Sequence, residues 1–119
     1  MLYLQANQIS ENPDSLLQDY KTARERYSQA IALDPVFALA HARLASLCAA
    51  VFHLYEPTEE WRDTARSGAE TALHFQPNLA EAHLALGQCI YWIHQDHGRA
   101  LERFEIASYF RPTIATVFA

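Results

Sequence analysis

The chain has 119 residues, enough for one domain around one continuous core. Half of them are hydrophobic and only three are glycine, a balance that excludes a disordered, collagen-like or turn-rich β-protein. The net charge of −5 comes without a basic cluster or an acidic tail, so neither a nucleic-acid footprint nor a membrane-spanning run of roughly 20 apolar residues is present.

The first element is expected over residues 2–10. Its opening, "MLYLQANQIS", has no basic start and too short an apolar run for a signal peptide, so a soluble, cytoplasmic protein is expected. Asn12-Pro13-Asp14 is expected to start a second helix over 14–33. That helix carries Ala23, Tyr27 and Ala30 at i, i+4 and i+7, one stripe of its surface. It closes before Pro35, which lacks a backbone N–H and disfavours helix in the residue ahead of it. A third helix is expected over 36–54. A fourth, over 59–75, starts at Thr58 ahead of Glu59 and Glu60 and carries Ala65, Ala69 and Ala72 before stopping at Pro77. The fifth, over 79–94, has a capping-box-like start in Asn78 and Glu81. The sixth, over 97–110 behind the cap residue Asp96, carries Ala100, Phe104 and Ala107 before Pro112, and a short stub begins at 113.

These segments repeat one another. "FALAHARLA" at 37–45 recurs as "LAEAHLALG" at 79–87, with Ala38/Ala80, Ala40/Ala82, His41/His83 and Leu44/Leu86 in register. The pattern Ala-x3-(Tyr/Ala/Phe)-x2-Ala-x4-Pro occurs three times, ending at Pro35, Pro77 and Pro112. One unit is thus written about three times, over 1–35, 36–77 and 78–112. The middle unit is eight residues longer than 34. Lengthening two antiparallel helices by about one turn each, at 3.6 residues per turn, absorbs them without a long loop.

The pattern resembles the tetratricopeptide repeat, Trp-x2-Leu-Gly-x2-Tyr followed by Ala-x3-Phe-x2-Ala-x4-Pro. His41 and His83 stand where that family has its large aromatic. Ala45 replaces its glycine, which Gly87 keeps, and Cys48 and Ile90 replace its tyrosine. The resemblance implies an all-α, right-handed helical solenoid of about three antiparallel helix pairs. It implies a non-enzymatic protein–protein interaction module, with a peptide or partner helix held on the concave face lined by the first helix of each pair. The matching places are Leu39, Ala42, Arg43, Ser46, Ala49 and Ala50, then Glu81, Leu84, Ala85, Gln88, Tyr91 and Trp92, with Tyr3 and Asn7 from the first unit.

Of these, Leu39, Arg43, Ser46, Glu81, Gln88, Tyr91 and Trp92 are the candidate partner-binding residues. Arg, Tyr and Trp are the side-chain types that carry most binding energy. The alternative for Tyr91 and Trp92 is that they complete helix packing. Some family members hold a C-terminal carboxylate with a Lys, Asn and Arg clamp. The matching places here are Tyr3, Asn7, Arg43, Glu81 and Ala85, of which only Asn7 fits, so chaperone tails are not the expected partner.

"LDPVFALAHARLA" and "YWIHQDHGRALERFEIA" are also similar to repeat tracts attached to bacterial cyclases and winged-helix regulators. The alternative function is therefore a small-molecule or metal-binding sensor segment of a larger signalling protein. No Gly-rich phosphate loop, Gly-x-Ser-x-Gly or His-Glu-x-x-His is present, so neither an enzyme nor a cofactor is expected. His94 and His97 form the one histidine cluster, but Asp96 as a helix cap separates them, and no metal is expected there. Cys48 and Cys89 are read as buried free thiols. Lys21, Arg24, Glu25, Arg26, Arg62, Asp63, Arg66 and Glu70 are read as a solvated outer face. The last residues, "TIATVFA", look like the start of a further helix. Val117 and Phe118 sit where that helix would begin to pack, and the preceding helix, with Leu101, Phe104 and Ala107, would be left without a capping helix. Its apolar surface is expected to make a homodimer through this end, the alternative being a stub that folds back over Phe104.

Overall fold

The structure, a computed structural model, describes residues 1–113, and within them it is all-helical. The helices are α1 (Leu2–Glu11), α2 (Leu17–Leu33), α3 (Ala38–Leu54), α4 (Glu59–Phe75), α5 (Ala80–Cys89), continued by a π-helical turn at Ile90–His94, and α6 (His97–Phe110). The eight additional residues of the middle segment do lie in helix, since α3 and α4 each run 17 residues around a short connection. Val117 and Phe118 lie outside the described residues, while on the helix expected to be left uncovered Leu101 is exposed and Ala107 is buried.

Sequence neighbours pack together, α1 on α2, α3 on α4 and α5 on α6, and α3 also lies against α2 and α5. That central position explains its composition. A helix apolar on nearly every side is a buried one, and Ala38, Ala40, Ala42, Ala45 and Ala49 are all buried in it, with Leu44, Leu47, Cys48 and Val51. The three alanine stripes face inward as their spacing requires: Ala23, Tyr27 and Ala30 on α2, Ala65, Ala69 and Ala72 on α4, Ala100 and Ala107 on α6. Small residues set the spacing between helices. A Cβ on Gly87 would lie 2.5 Å from Phe104 Cε1, closer than real Cβ atoms come, so a larger residue there would have to displace the Phe104 ring between α5 and α6.

The paired histidines have a local cause. His41 Nε2 lies 3.0 Å from the Pro35 carbonyl oxygen, and His83 Nε2 lies 2.7 Å from that of Pro77. A carbonyl only accepts, so Nε2 carries the hydrogen in both rings. Each imidazole then meets an aromatic ring two residues before the next proline, His41 with Phe75 at 6.0 Å and His83 with Phe110 at 5.8 Å. The histidine thereby ties the loop ahead of its own helix to the end of the following one.

The helix starts differ from the expected caps. Asn12 Oδ1 accepts from the Asp14 N–H in a tight turn instead of opening a helix. The chain then continues to Leu16, whose N–H donates to Asp19 Oδ2, and α2 begins three residues late. Thr58 precedes α4 without a side-chain capping bond. Neither Asn78 nor Glu81 caps α5, whose cap position is Leu79, because the Glu81 carboxylate is held by Arg111 instead. Asp96 does cap α6, its Oδ1 accepting from the Arg99 N–H at 3.2 Å.

The outer face of α2 and α4 is more than a solvated charge run. The Arg24 guanidinium lies 4.6 Å from the centre of the Trp61 ring and donates to Thr64 Oγ1 at 3.0 Å. Trp61 Nε1–H donates to Glu56 Oε2 at 2.8 Å, and Lys21 Nζ pairs with the other Glu56 oxygen at 3.4 Å.

Candidate functional site

A recess of about 400 Å³ opens between the end of α1, the inner side of α2, and the facing stripes of α3 and α5. Arg43, Ser46 and Ala50 line it from α3, and Glu81, Leu84 and Gln88 from α5. Each set is spaced i, i+3, i+7, which places it on one helix face. Trp92 closes one end from the π-helical turn, while Ser10, Glu11, Tyr20 and Tyr27 form the wall opposite. Arg111 and Thr113 border it after α6.

Two ion pairs stand on the rim. Arg43 Nη1 lies 3.5 Å from Glu11 Oε1, and Arg111 Nη1 lies 3.2 Å from Glu81 Oε2. Two cations and two anions leave the lining formally neutral. Deeper in, the Tyr27 hydroxyl bonds to Asn7 Oδ1 and sits 3.1 Å from Ser10 Oγ. Burial pushes the Tyr27 phenol up to about 12, and burial also raises Tyr20, with Tyr55 and Asp19 adding to it. Two polar atoms of the lining are buried without a hydrogen-bond partner among the described residues, Arg43 Nε and Gln88 Oε1. Leaving such a group unpaired costs about 1–3 kcal/mol.

Five of the seven candidate residues therefore meet in one place: Arg43, Ser46, Glu81, Gln88 and Trp92. Leu39 and Tyr91 do not line it. Tyr91 and Trp92 are adjacent, but their rings find partners on different helices. Trp92 turns toward α3 and stacks on His53, 5.5 Å between ring centres and 12° between planes. Tyr91 turns toward α6, stacking on His97 at 4.4 Å and approaching Phe104 at 6.4 Å. The π turn fixes this division. The Gln95 N–H donates to the Ile90 carbonyl five residues back, and Gln95 itself takes the left-handed conformation at φ 56°. The single α-helix expected over 79–94 is thus interrupted at Ile90. Tyr3 packs on Phe37 at 4.9 Å, and Asn7 serves Tyr27, so neither lines the recess.

The lining residues not expected at the site are Ser10, Glu11, Tyr20, Tyr27, Leu47, Arg111 and Thr113. Tyr27 carried a signal: a hydroxyl on an alanine core stripe needs a buried partner, and that partner must come from another helix. The Glu11–Arg43 and Glu81–Arg111 pairs join residues far apart in sequence and leave no local pattern. Among the described residues, no three His, Cys, Asp or Glu side chains converge as a metal site, and no helix is long and apolar enough to cross a membrane. His97 is taken up by its stack on Tyr91. No protein-family model matches the chain, and no curated protein matches it.

Proposed function

We propose that the chain is a non-enzymatic interaction module of the cytoplasm, a right-handed solenoid of about three tetratricopeptide-like helix pairs that holds a peptide or partner helix in the recess. Three alanine stripes ending in proline and two histidines with the same proline bond, 42 residues apart, support the repeat reading. What supports binding most is the convergence of Arg43, Ser46, Gln88 and a half-buried Trp92 on one recess whose polar atoms are not all paired. An indole and a guanidinium at a concave, partly desolvated place are the usual anchors of an interface. A small-molecule sensor is the second reading, favoured by a volume within the ~300–1,000 Å³ of ligand pockets.

Affinity capture from lysate, with the wild type beside Trp92→Ala and Arg43→Ala, tests the first reading. Trp92→Ala is expected to weaken the captured partner by about 2 kcal/mol, roughly thirtyfold, with helical circular dichroism retained. A collapse of the melting temperature would instead make Trp92 a core residue. A partner held equally by all three chains would place binding outside the recess.

A further inference from the structure

Gln88 is buried, only 8 % exposed, yet its Oε1 has no hydrogen-bond partner among the described residues. Across the recess Arg43 Nε is in the same position with the opposite chemistry. A guanidinium N–H can only donate and an amide oxygen can only accept, so the two cannot be exchanged for each other. Native proteins rarely leave such atoms unpaired, and the exceptions call for an explanation. Both side chains line the same recess, one from α3 and one from α5.

The complement of a free donor on one side and a free acceptor on the other is a group with an acceptor and a donor pointing opposite ways, which is a trans amide. Charge points the same way. Arg43 faces Glu11 and Arg111 faces Glu81, so an ionic ligand would have to displace one of these partners. The rest of the floor, Ala42, Leu47, Ala50 and Leu84, is apolar and ends at the Trp92 ring.

Resting on the peptide-binding reading above, we infer that the recess takes a neutral, extended peptide segment through its main chain. A backbone carbonyl accepts from Arg43 Nε–H, a backbone N–H donates to Gln88 Oε1, and an apolar side chain lies against Trp92. Neither polar atom reaches bulk water, so each side chain turns toward the peptide as it engages. Gln88 is then the residue that selects an amide N–H.

The test uses acetyl-Ala-Leu-Ala-amide and its ester analogues, in each of which one N–H is replaced by oxygen. Binding to the isotope-labelled chain is followed at the Trp92 indole signal. One ester is expected to bind about tenfold more weakly than the amide, the worth of one hydrogen bond. Gln88→Met keeps the side-chain length and removes the acceptor. It is expected to bind amide and ester alike and to melt no lower than the wild type, with Gln88→Leu as a second variant of the same kind. If ester and amide shift Trp92 with equal affinity in the wild type, the main-chain assignment fails while the peptide reading stands. A peptide with glutamate in place of leucine binding tenfold tighter overturns the neutral ligand. A Gln88→Met chain that melts well below the wild type means that Oε1 has a structural partner, and the inference falls. If none of the peptides moves Trp92 at any concentration, both the inference and the peptide reading fail.

Discussion

Replacing Trp61 with alanine is expected to cost about 3–5 kcal/mol, a large share of the stability of a domain this size. Trp61 is 3 % exposed, and its ring is the bulkiest buried surface on α4. Truncation removes that packing, the platform under Arg24 at 4.6 Å and the donor to Glu56 at 2.8 Å. Arg24 and Lys21 belong to α2, so the loss also loosens the link between α2 and α4. Urea unfolding measures it, and a midpoint within experimental error of the wild type would contradict this account of the outer face. Trp61→Phe keeps an aromatic ring but removes the indole N–H together with part of the buried ring, so its pH dependence, and not its cost at neutral pH, reports on the hydrogen bond. The hydrogen bond from Trp61 is the main reason the Glu56 carboxyl lies below its ordinary value, with Lys21 assisting against the opposing effect of burial. A depressed carboxyl stabilises the fold above its unfolded pKa, and that contribution fades as pH falls through the folded value. Trp61→Phe should therefore lose less stability on acidification than the wild type.

The second large effect is alkaline unfolding. Burial pushes the thiols of Cys48 and Cys89 from 9.0 up to about 12, and the phenol of Tyr27 from 10.0 up to about 12. In the unfolded chain these groups shed their protons near 9 and 10, while the folded chain keeps them. The stabilisation is complete below pH 9 and is lost as pH rises toward 12. Each group costs about 1.4 kcal/mol per pH unit once its unfolded form is ionised. All three together give roughly 4 kcal/mol per unit between pH 10 and 12. Urea midpoints at pH 8, 10 and 11 should fall steeply over the last interval. Cys48→Ala should make that fall shallower by about a third, whatever it costs in packing at pH 8. A midpoint unchanged from pH 8 to 11 would mean that these groups are open to water.

The helices were legible because their limits are chemical. Pro35, Pro77 and Pro112 each stop a helix, and the alanine stripes mark which face turns inward. Where the reading failed, the deciding contact is not local. Asn12 resembles a cap, but its side chain closes a turn on Asp14, and Asp19 does the work at Leu16. Glu81 has the spacing of a capping box, yet a cation 30 residues away at Arg111 claims it. The site shows the same division. Arg43, Ser46, Glu81 and Gln88 are placed by the resemblance to the tetratricopeptide repeat, and their i, i+3, i+7 spacing agrees with a shared face on each helix. Tyr91 and Trp92 are adjacent, and the π turn that sends them to opposite sides has no signature in the chain beyond the stop at Gln95 and Asp96. Leu39 and Tyr91 are placed by the same resemblance but do not line the recess, Tyr91 being turned to His97 and Phe104.

The chain has two tryptophans, and they lie on different faces: Trp92 at the recess and Trp61 under Arg24 on the outer side. Their two indole N–H signals in a proton–nitrogen spectrum are therefore a built-in comparison. Adding the captured partner to the labelled chain should move the Trp92 signal and leave that of Trp61 in place. A shift of Trp61 with Trp92 unmoved would put the partner on the outer face of α2 and α4 and contradict a binding recess between α3 and α5.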